Sequence, residues 1–259
     1  MTPVTDVVVI GAGQSGLAAA RTLQAHGISP VVLEAGPEPA GSWPHYYDSL
    51  TLFSPACYSA VPGLEFPGDP DRYPHRDEVV AYLRRYAATL GTDIRTSAPV
   101  TAVEPGGQGR FLVHTATGFD LLPLEWLVHY FGDRWVLDTG KYRHAFEAGL
   151  LDRRPMFTAF DTDRVVWADG TREHVDTVLF ATGYRPSLDY LRPLGALDSH
   201  GMPRHSGGIS ATHPGLVYLG LEDQRSFSSN TLRGVHRDAE HLIPPLTAHV
   251  RNAPAAVGL

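Results

Sequence analysis

The N-terminal part of the chain alternates between short apolar runs and a stretch with helical periodicity. Residues 6–10 are mostly apolar and β-branched, which is typical of a strand buried in a parallel sheet. An Ala- and Leu-rich stretch follows and ends near His26-Gly27, and a second apolar run, residues 31–33, ends at Glu34. The pattern therefore predicts a strand, a helix and a second, parallel strand in that order.

The next part of the chain reads as a long irregular crossing followed by a helix. Residues 36–76 are rich in proline, glycine and aromatic residues, and such a segment usually crosses a ligand rather than filling the core. Residues 77–90 have amphipathic helical spacing. Residues 93–96 then favour a third parallel strand, so the pattern indicates an α/β protein.

The remaining pattern predicts two hairpins, one more strand and a closing helix. The first hairpin pairs residues 100–104 with residues 110–115, and the second spans residues 164–183. Residues 216–220 favour a last strand. Residues 231–246 favour a helix that Ser229 or Asn230 would cap and that Pro244-Pro245 would truncate.

Residues 11–16, Gly-Ala-Gly-Gln-Ser-Gly, join the first strand to the first helix with the spacing of a dinucleotide-binding turn. Gly11 permits the tight turn, Gly13 lets the backbone approach a pyrophosphate, and Gly16 lets the helix pack on the strand. The helix N-terminus offers free N–H groups to phosphates, and Glu34 has the acceptor needed for ribose hydroxyls. The turn therefore predicts a dinucleotide site, and a glycine-rich turn with no ligand is the alternative.

Composition and charge narrow the class of protein. The chain has 259 residues, of which 43% are hydrophobic and 19% charged, as in ordinary globular proteins. A net charge of -7 without a Lys/Arg cluster argues against nucleic acid and against anionic membranes as partners. With a single cysteine, no N-terminal signal and no run long enough to span a membrane, we expect a cytoplasmic location.

Several other chemistries lack their sequence signatures. The 13 histidines show neither HxxxH nor HExxH spacing, so no metal site is predicted. No Gly-x-Ser-x-Gly elbow is present. Cys57 has no context that marks a nucleophile, and we expect it to be a small buried hydrophobic residue.

Several motifs after the first strand–helix–strand unit resemble the flavin-containing monooxygenase superfamily, in particular its bacterial branch. They are the Gly41-Ser42-Trp43 triplet, the DSLTLF segment at residues 48–53, the turn at residues 61–63 and the helix at residues 73–87. The similarity returns in residues 176–197 and 214–242. The resemblance implies FAD as cofactor, bound by a single Rossmann-like α/β domain of three layers. Such a glutathione-reductase-like domain has a parallel sheet with a β-hairpin or meander.

The resemblance also implies which residues bind the cofactor, while the catalytic residues stay unknown. Val100 would contact the adenine, Gly220 the ribityl chain, and residues 229–231 the N1–C2=O edge of the flavin ring. Trp43 would line the ring or the pyrophosphate, with a buried core tryptophan as the alternative. The full predicted set is Gly11, Gly13, Ser15, Gly16, Glu34, Ala35, Gly41, Ser42, Trp43, Leu52, Val100, Thr182, Gly183, Gly220, Ser229, Asn230, Thr231 and Leu232.

At residue 118 the chain departs from the family pattern. Family members continue into a second GxGxxG unit that binds NADPH, whereas residues 11–16 are the only such motif here. We expect residues 1–259 to form one FAD-binding domain, with an N-terminal half at 1–118, a helical connector at 119–160 and a C-terminal half at 161–259. We further hypothesise that residues 178–181 replace the missing strand of the FAD sheet.

The family reaction reduces FAD with NADPH and uses oxygen to oxidise a soft nucleophile. Without an NADPH domain, we expect an FAD-dependent oxidoreductase that needs an external electron source. The alternatives are a non-catalytic flavin-binding scaffold and, less in keeping with the motifs, an NAD(P)-binding protein without flavin. Expected partners are oxygen with an unknown small molecule or reductase. Homodimerisation is expected through the apolar residues Leu121, Leu122, Leu124, Trp126, Leu127 and Phe131.

Overall fold

The computed structural model describes residues 5–106, 110–116, 141–150, 154–178 and 186–252. The chain divides into two compact units. The first comprises Met1–Leu121 and Pro186–Leu259, and the second comprises Leu122–Arg185. The single-domain organisation inferred from the sequence stays a prediction.

A three-stranded parallel sheet organises the first unit. Strands β1 (Val8–Ile10), β2 (Val31–Leu33) and β3 (Asp93–Arg95) follow the order β1-β2-β3. Val32 is opposite Val9 on one side and Ile94 on the other, and its side chain is fully buried. Helix α1 (Gln14–Ala25) connects β1 to β2, so the predicted strand–helix–strand unit and the parallel third strand are confirmed.

Helix α2 (Arg76–Thr89) follows the irregular crossing and fastens it to the core. The Tyr82 hydroxyl accepts a hydrogen bond from Val61 N at 2.8 Å and donates one to Leu64 O at 2.6 Å. The Tyr86 hydroxyl donates to Pro62 O at 2.7 Å. Burial raises the pKa of both phenols, so they stay protonated and keep these contacts.

A hairpin of β4 (Val100–Pro105) and β5 (Phe111–Thr115) matches the first predicted hairpin. It packs against a short 3-10 helix, Asp189–Leu194, through a cluster that includes Val103, Leu191 and Leu194. The short strands β9 (His205–Ser206) and β10 (Ile209–Ser210) form a further pair.

The closing helix differs from its prediction at both ends. Helix α4 runs from Val235 to Asn252, so Ser229 and Asn230 do not cap it and Pro244-Pro245 does not truncate it. Both prolines are exposed, while Leu242, Ile243 and Leu246 on the opposite face are buried. Ile243 and Leu246 pack with Leu23 of α1. This packing stabilises the helix although Pro244 and Pro245 lack the backbone N–H groups for two helical hydrogen bonds.

The predicted last strand at residues 216–220 is also wrong. This segment forms a single bridge between Val217 and Ile209 of β10, together with a hydrogen bond from Tyr218 N to Gly208 O at 2.7 Å. Gly208 has a φ of +98° and is buried under Gln224 and Leu242. Pairing with this glycine turn takes the place of pairing with the parallel sheet.

The second unit contains helix α3 (Lys141–Glu147) and the antiparallel strands β6 (Ala159–Asp161), β7 (Arg164–Val166) and β8 (Arg172–His174). The turn around Asp169-Gly170 joins β7 to β8, as the second predicted hairpin requires. Residues 179–185 lie outside the described residues, so the hypothesis that residues 178–181 join the FAD sheet stays a prediction.

Candidate functional site

The turn between β1 and α1 is built so that three backbone segments meet. Gly11 has a φ of +96°, and its N–H donates to Leu33 O at 2.7 Å. A Cβ on Gly16 would overlap the Gly11 carbonyl oxygen and crowd Val9. These two glycines are therefore required by the turn and by the packing of α1 on β1.

Gly13 is different, because the protein itself leaves room for a side chain there. Its φ is −76°, and a Cβ would lie 3.6 Å from Gly41 Cα, an ordinary contact distance. Helix α1 has no side-chain cap, and its first helical hydrogen bond runs from Leu17 N to Gly13 O at 3.0 Å. The N–H groups of residues 14–16 therefore point out of the helix end beside an open position.

Glu34 places a buried carboxylate next to the same turn. Its side chain is only 6% exposed, and Oε2 accepts a hydrogen bond from Ala12 N at 2.5 Å. Oε1 accepts from Gly36 N at 2.8 Å. The carboxylate thus links the glycine turn to the chain after β2, and its oxygens retain acceptor capacity for a ribose hydroxyl.

Gln14 joins three of the predicted site segments, although sequence reasoning did not select it. Its Oε1 accepts a hydrogen bond from Trp43 Nε1 at 2.7 Å, and its Nε2 donates to Asn230 O at 3.2 Å. Gln14 occupies a position of the glycine motif that accepts any residue type, so the motif does not mark it as a site residue. Trp43 is partly buried and packs against the core cluster around Tyr82, and its contact with the cofactor stays a prediction.

Side-chain hydroxyl groups stabilise the loop before α4 through hydrogen bonds within the loop. The Ser229 side chain is fully buried, and its Oγ accepts hydrogen bonds from Arg225 N at 3.1 Å and Ser226 N at 3.0 Å. Thr231 Oγ1 donates to Ser228 O at 2.7 Å. Ser229 therefore caps this loop rather than α4, and the dipole of α4 begins at Val235 instead of at the predicted site residues.

The other predicted residues fall into four groups. Gly41 and Gly220 approach the turn, because a Cβ on Gly41 would lie 2.7 Å from Gly13 Cα and one on Gly220 would overlap Ser15 Oγ. Leu52 and Leu232 pack in the core beside α2, and Val100 packs in the hairpin cluster. Ala35 and Ser42 are exposed. Thr182 and Gly183 lie outside the described residues.

Within the described ranges, no group of three His, Cys, Asp or Glu side chains is arranged to hold a metal ion. No helix in those ranges is long and apolar enough to cross a bilayer. Cys57 is exposed, so the prediction of a buried cysteine is wrong; it lies in a 3-10 turn, Ala56–Tyr58, in which Ala56 takes the buried position.

Comparison with known proteins shows which proteins the chain resembles. Residues 8–121 match the family described as pyridine nucleotide-disulphide oxidoreductase. A flavin-containing monooxygenase from Stenotrophomonas maltophilia superposes with a TM-score of 0.79 at 27% identity, covering 95% of this chain and 98% of that one. Bacillithiol disulfide reductase from Staphylococcus aureus shares the fold, with a TM-score of 0.72 at 16% identity, covering 94% and 98%.

Two sequence relatives are informative about length. An uncharacterised CzcO-like oxidoreductase of Geobacillus kaustophilus is 23% identical over 349 aligned residues, which cover 96% of this chain and 100% of the relative. Indole-3-pyruvate monooxygenase YUCCA1 of Oryza sativa subsp. japonica is 40% identical over 129 residues, covering 49% of this chain and 32% of the relative. The 349-residue alignment exceeds the 259 residues here, so the bacterial relative contains internal residues without a counterpart. The chain is therefore similar in fold and sequence to flavin-containing monooxygenases over most of its length, and it is shorter than the bacterial relative.

Proposed function

We propose that this chain binds FAD at the turn of residues 11–16 and acts as an oxidoreductase that receives electrons from an external donor. The proposal depends mainly on the conformation and the surroundings of Gly13. Its conformation and surroundings would accept a side chain, so a neighbouring ligand accounts for the glycine where the protein does not. The N–H groups at the start of α1 supply the matching anion site.

The residues around the turn suit the two ends of FAD. Glu34 would hold the adenosine ribose, and the first turn of α1 would hold the pyrophosphate. Gln14, Trp43 and Asn230 would fix the chain on the flavin side of the turn. FAD supplies electron transfer through its ring, and the protein supplies binding and orientation.

The sequence supports the proposal of an external donor. Residues 11–16 are the only GxGxxG motif in the chain, and the longer bacterial relative has internal residues that are missing here. We infer that the missing segment corresponds to an NADPH-binding domain. Oxygen and a small molecule would be the other reactants, and the single cysteine agrees with a cytoplasmic location.

A second candidate, a flavin-binding scaffold without turnover, is favoured by the same missing segment. Anaerobic mixing with NADPH, followed by the visible absorbance of the flavin, tests the electron source. We expect slow reduction without saturation, because the sequence has no second GxGxxG motif to hold the nicotinamide against the ring, and positioning commonly supplies ~7 kcal/mol or more. Fast, saturable reduction would contradict an external donor. Oxygenation of an added organic sulfide to its sulfoxide by the dithionite-reduced protein and oxygen would exclude the scaffold, whereas reoxidation of the flavin with release of hydrogen peroxide alone would not.

Gly13→Val tests the placement of the cofactor. Because a Cβ at this position is in ordinary contact, we expect the apo-protein to stay folded, with at most about 1 kcal/mol lost at the N-cap of α1, while FAD is lost from the purified protein. Gly16→Val serves as the opposite control, since its side chain would overlap the Gly11 carbonyl and destabilise the fold itself. A yellow Gly13→Val protein at full occupancy would refute the proposed site.

A further inference from the structure

An ion pair between the partly exposed Arg225 and the buried Asp238 joins the loop before α4 to the helix itself. Arg225 Nη1 lies 3.1 Å from Oδ1 of Asp238 and 3.3 Å from the carbonyl oxygen of Arg237. The Asp238 side chain is 3% exposed and that of Arg225 is 33% exposed. Asp238 occupies the first turn of α4.

Burial of the Asp238 carboxylate in this ion pair lowers the stability of the fold. Oδ2 of Asp238 is buried and has no hydrogen-bond partner among the described residues. A buried carboxylate with an unsatisfied oxygen loses hydration that a single contact does not restore. Val235, Ala239 and Leu242 lie on the same buried face of α4, so an apolar residue at position 238 would satisfy the core at lower cost. Core stability alone therefore does not account for the pair.

The pair acts on the loop through Arg225. The main-chain N–H groups of Arg225 and Ser226 both donate to Ser229 Oγ. Asn230 follows directly, and its carbonyl oxygen accepts the hydrogen bond from Gln14. A continuous series of contacts thus leads from Asp238 through Arg225 and Ser229 to the first residue of α1.

We propose that Arg225 and Asp238 form a positioning pair that fixes residues 229–231 against the N-terminus of α1 and so prepares the flavin side of the site. The inference rests on the proposed function. Both residues act through Ser229, and neither is assigned a catalytic role. Loss of either charge would leave the loop in several conformations, of which few suit the cofactor, and the apparent affinity would fall with the fraction that does.

The experiment compares wild type with Asp238→Asn, Arg225→Met and Arg225→Lys. We expect Asp238→Asn and Arg225→Met to weaken FAD binding at least tenfold and to shift the midpoint potential of the bound flavin. Arg225→Lys keeps the charge and should restore most of the affinity. Limited trypsin digestion of the apo-proteins gives a second readout: cleavage after Arg233 in the loop should accelerate relative to cleavage after Arg85 in α2.

Leu246→Ala is the matched control, because it destabilises the same helix through its packing on α1 and leaves the loop contacts intact. It should lower the melting temperature without a change in midpoint potential or in relative cleavage. The inference is overturned if Asp238→Asn lowers the melting temperature while affinity, potential and cleavage ratio match those of Leu246→Ala. Absence of FAD binding by wild type would instead refute the proposed function, and the cleavage ratio would still test the pair.

Discussion

The backbone of Gly41 lies so close to Gly13 that a side chain at position 41 would clash with the glycine turn. The first prediction concerns this contact. Gly41→Ala would place a Cβ 2.7 Å from Gly13 Cα and 3.0 Å from Gly13 N. The glycine turn must then move, so we expect a loss of FAD affinity of at least tenfold, measured by fluorescence titration. The φ of +58° adds a strain of about 1 kcal/mol.

Gly91→Ala separates strain from displacement. Gly91 has a φ of +59°, and a Cβ there would meet nothing within 4 Å. This variant should lose about the same 1 kcal/mol of stability and keep its FAD affinity. Equal affinities for the two variants would show that the approach of residue 41 to the turn is irrelevant to binding.

The amide of Gln14 provides the second prediction at the scale of single residues. Gln14→Leu removes the hydrogen bonds to Trp43 and Asn230 but keeps the size of the side chain. We expect FAD affinity to fall by about 1–2 kcal/mol, because the two flanking segments lose their common partner. The measurement is a titration of apo-protein with FAD.

Gln24→Leu is its control on the same helix. The amide of Gln24 also joins two distant groups, donating to Leu90 O at 2.6 Å and to Thr92 Oγ1 at 2.9 Å. Its loss should reduce stability by a similar amount and leave FAD affinity unchanged. If Gln24→Leu weakened binding as much as Gln14→Leu, a general loosening of α1 would be the better explanation.

Among the elements, α2 carries a pH-dependent cap. Oε2 of Glu78 accepts hydrogen bonds from Arg72 at 2.7 Å and from His75 N at 2.8 Å, and these contacts lower the pKa of Glu78 below its ordinary 4.5. A lowered folded-state pKa stabilises the fold above the unfolded value, and the contribution is lost as pH falls through the folded value.

Glu78→Gln should therefore be less stable than wild type at pH 7, by at most about 1 kcal/mol because the carboxylate is partly exposed. The difference should shrink as pH falls below about 4.5. Urea unfolding at several pH values measures it, with Glu240→Gln on the exposed side of α4 as control. A pH-independent difference would contradict the role of the charge.

The elements also show what periodicity predicts well. The parallel strands β1 to β3 and helices α1 and α2 were predicted because burial and local pattern agree there. The prediction for helix α4 was wrong because two prolines locally disfavour a helix. The burial of Ile243 and Leu246 against α1, which stabilises the helix, is a tertiary effect that the local sequence does not show. Residues 216–220 have the composition of a strand, yet Gly208 supplies their partner from outside the parallel sheet.

The same distinction holds for the site. A motif predicts residues whose chemistry is required by a known geometry, such as Gly11, Gly16 and Glu34. Gln14 and Asp238 depend on partners more than 20 residues away or on buried contacts, and nothing in their local sequence marks them. The cofactor contacts themselves stay predictions.

For the whole molecule, self-association through the apolar residues around Leu124 and Leu127 stays a prediction, since these residues lie outside the described ranges. We expect sedimentation velocity at high micromolar concentration to show a dimer, and Leu124→Glu/Leu127→Glu to dissociate it. Charge repulsion would reinforce the effect, because the chain already carries a net charge of -7. A wild-type monomer at that concentration would contradict the prediction.

The hydrogen bond between Gln14 and Asn230 spans 216 positions of sequence. Closing a loop of that length costs on the order of 5 kcal/mol in chain entropy, which must be met before the contact forms. During synthesis the turn of residues 11–16 emerges early. The loop that contacts it through Asn230 can pack against it only after residue 230 has left the ribosome. A complete cofactor site is then a late event of folding, and the yellow colour of the protein would report that both ends of the chain have come together.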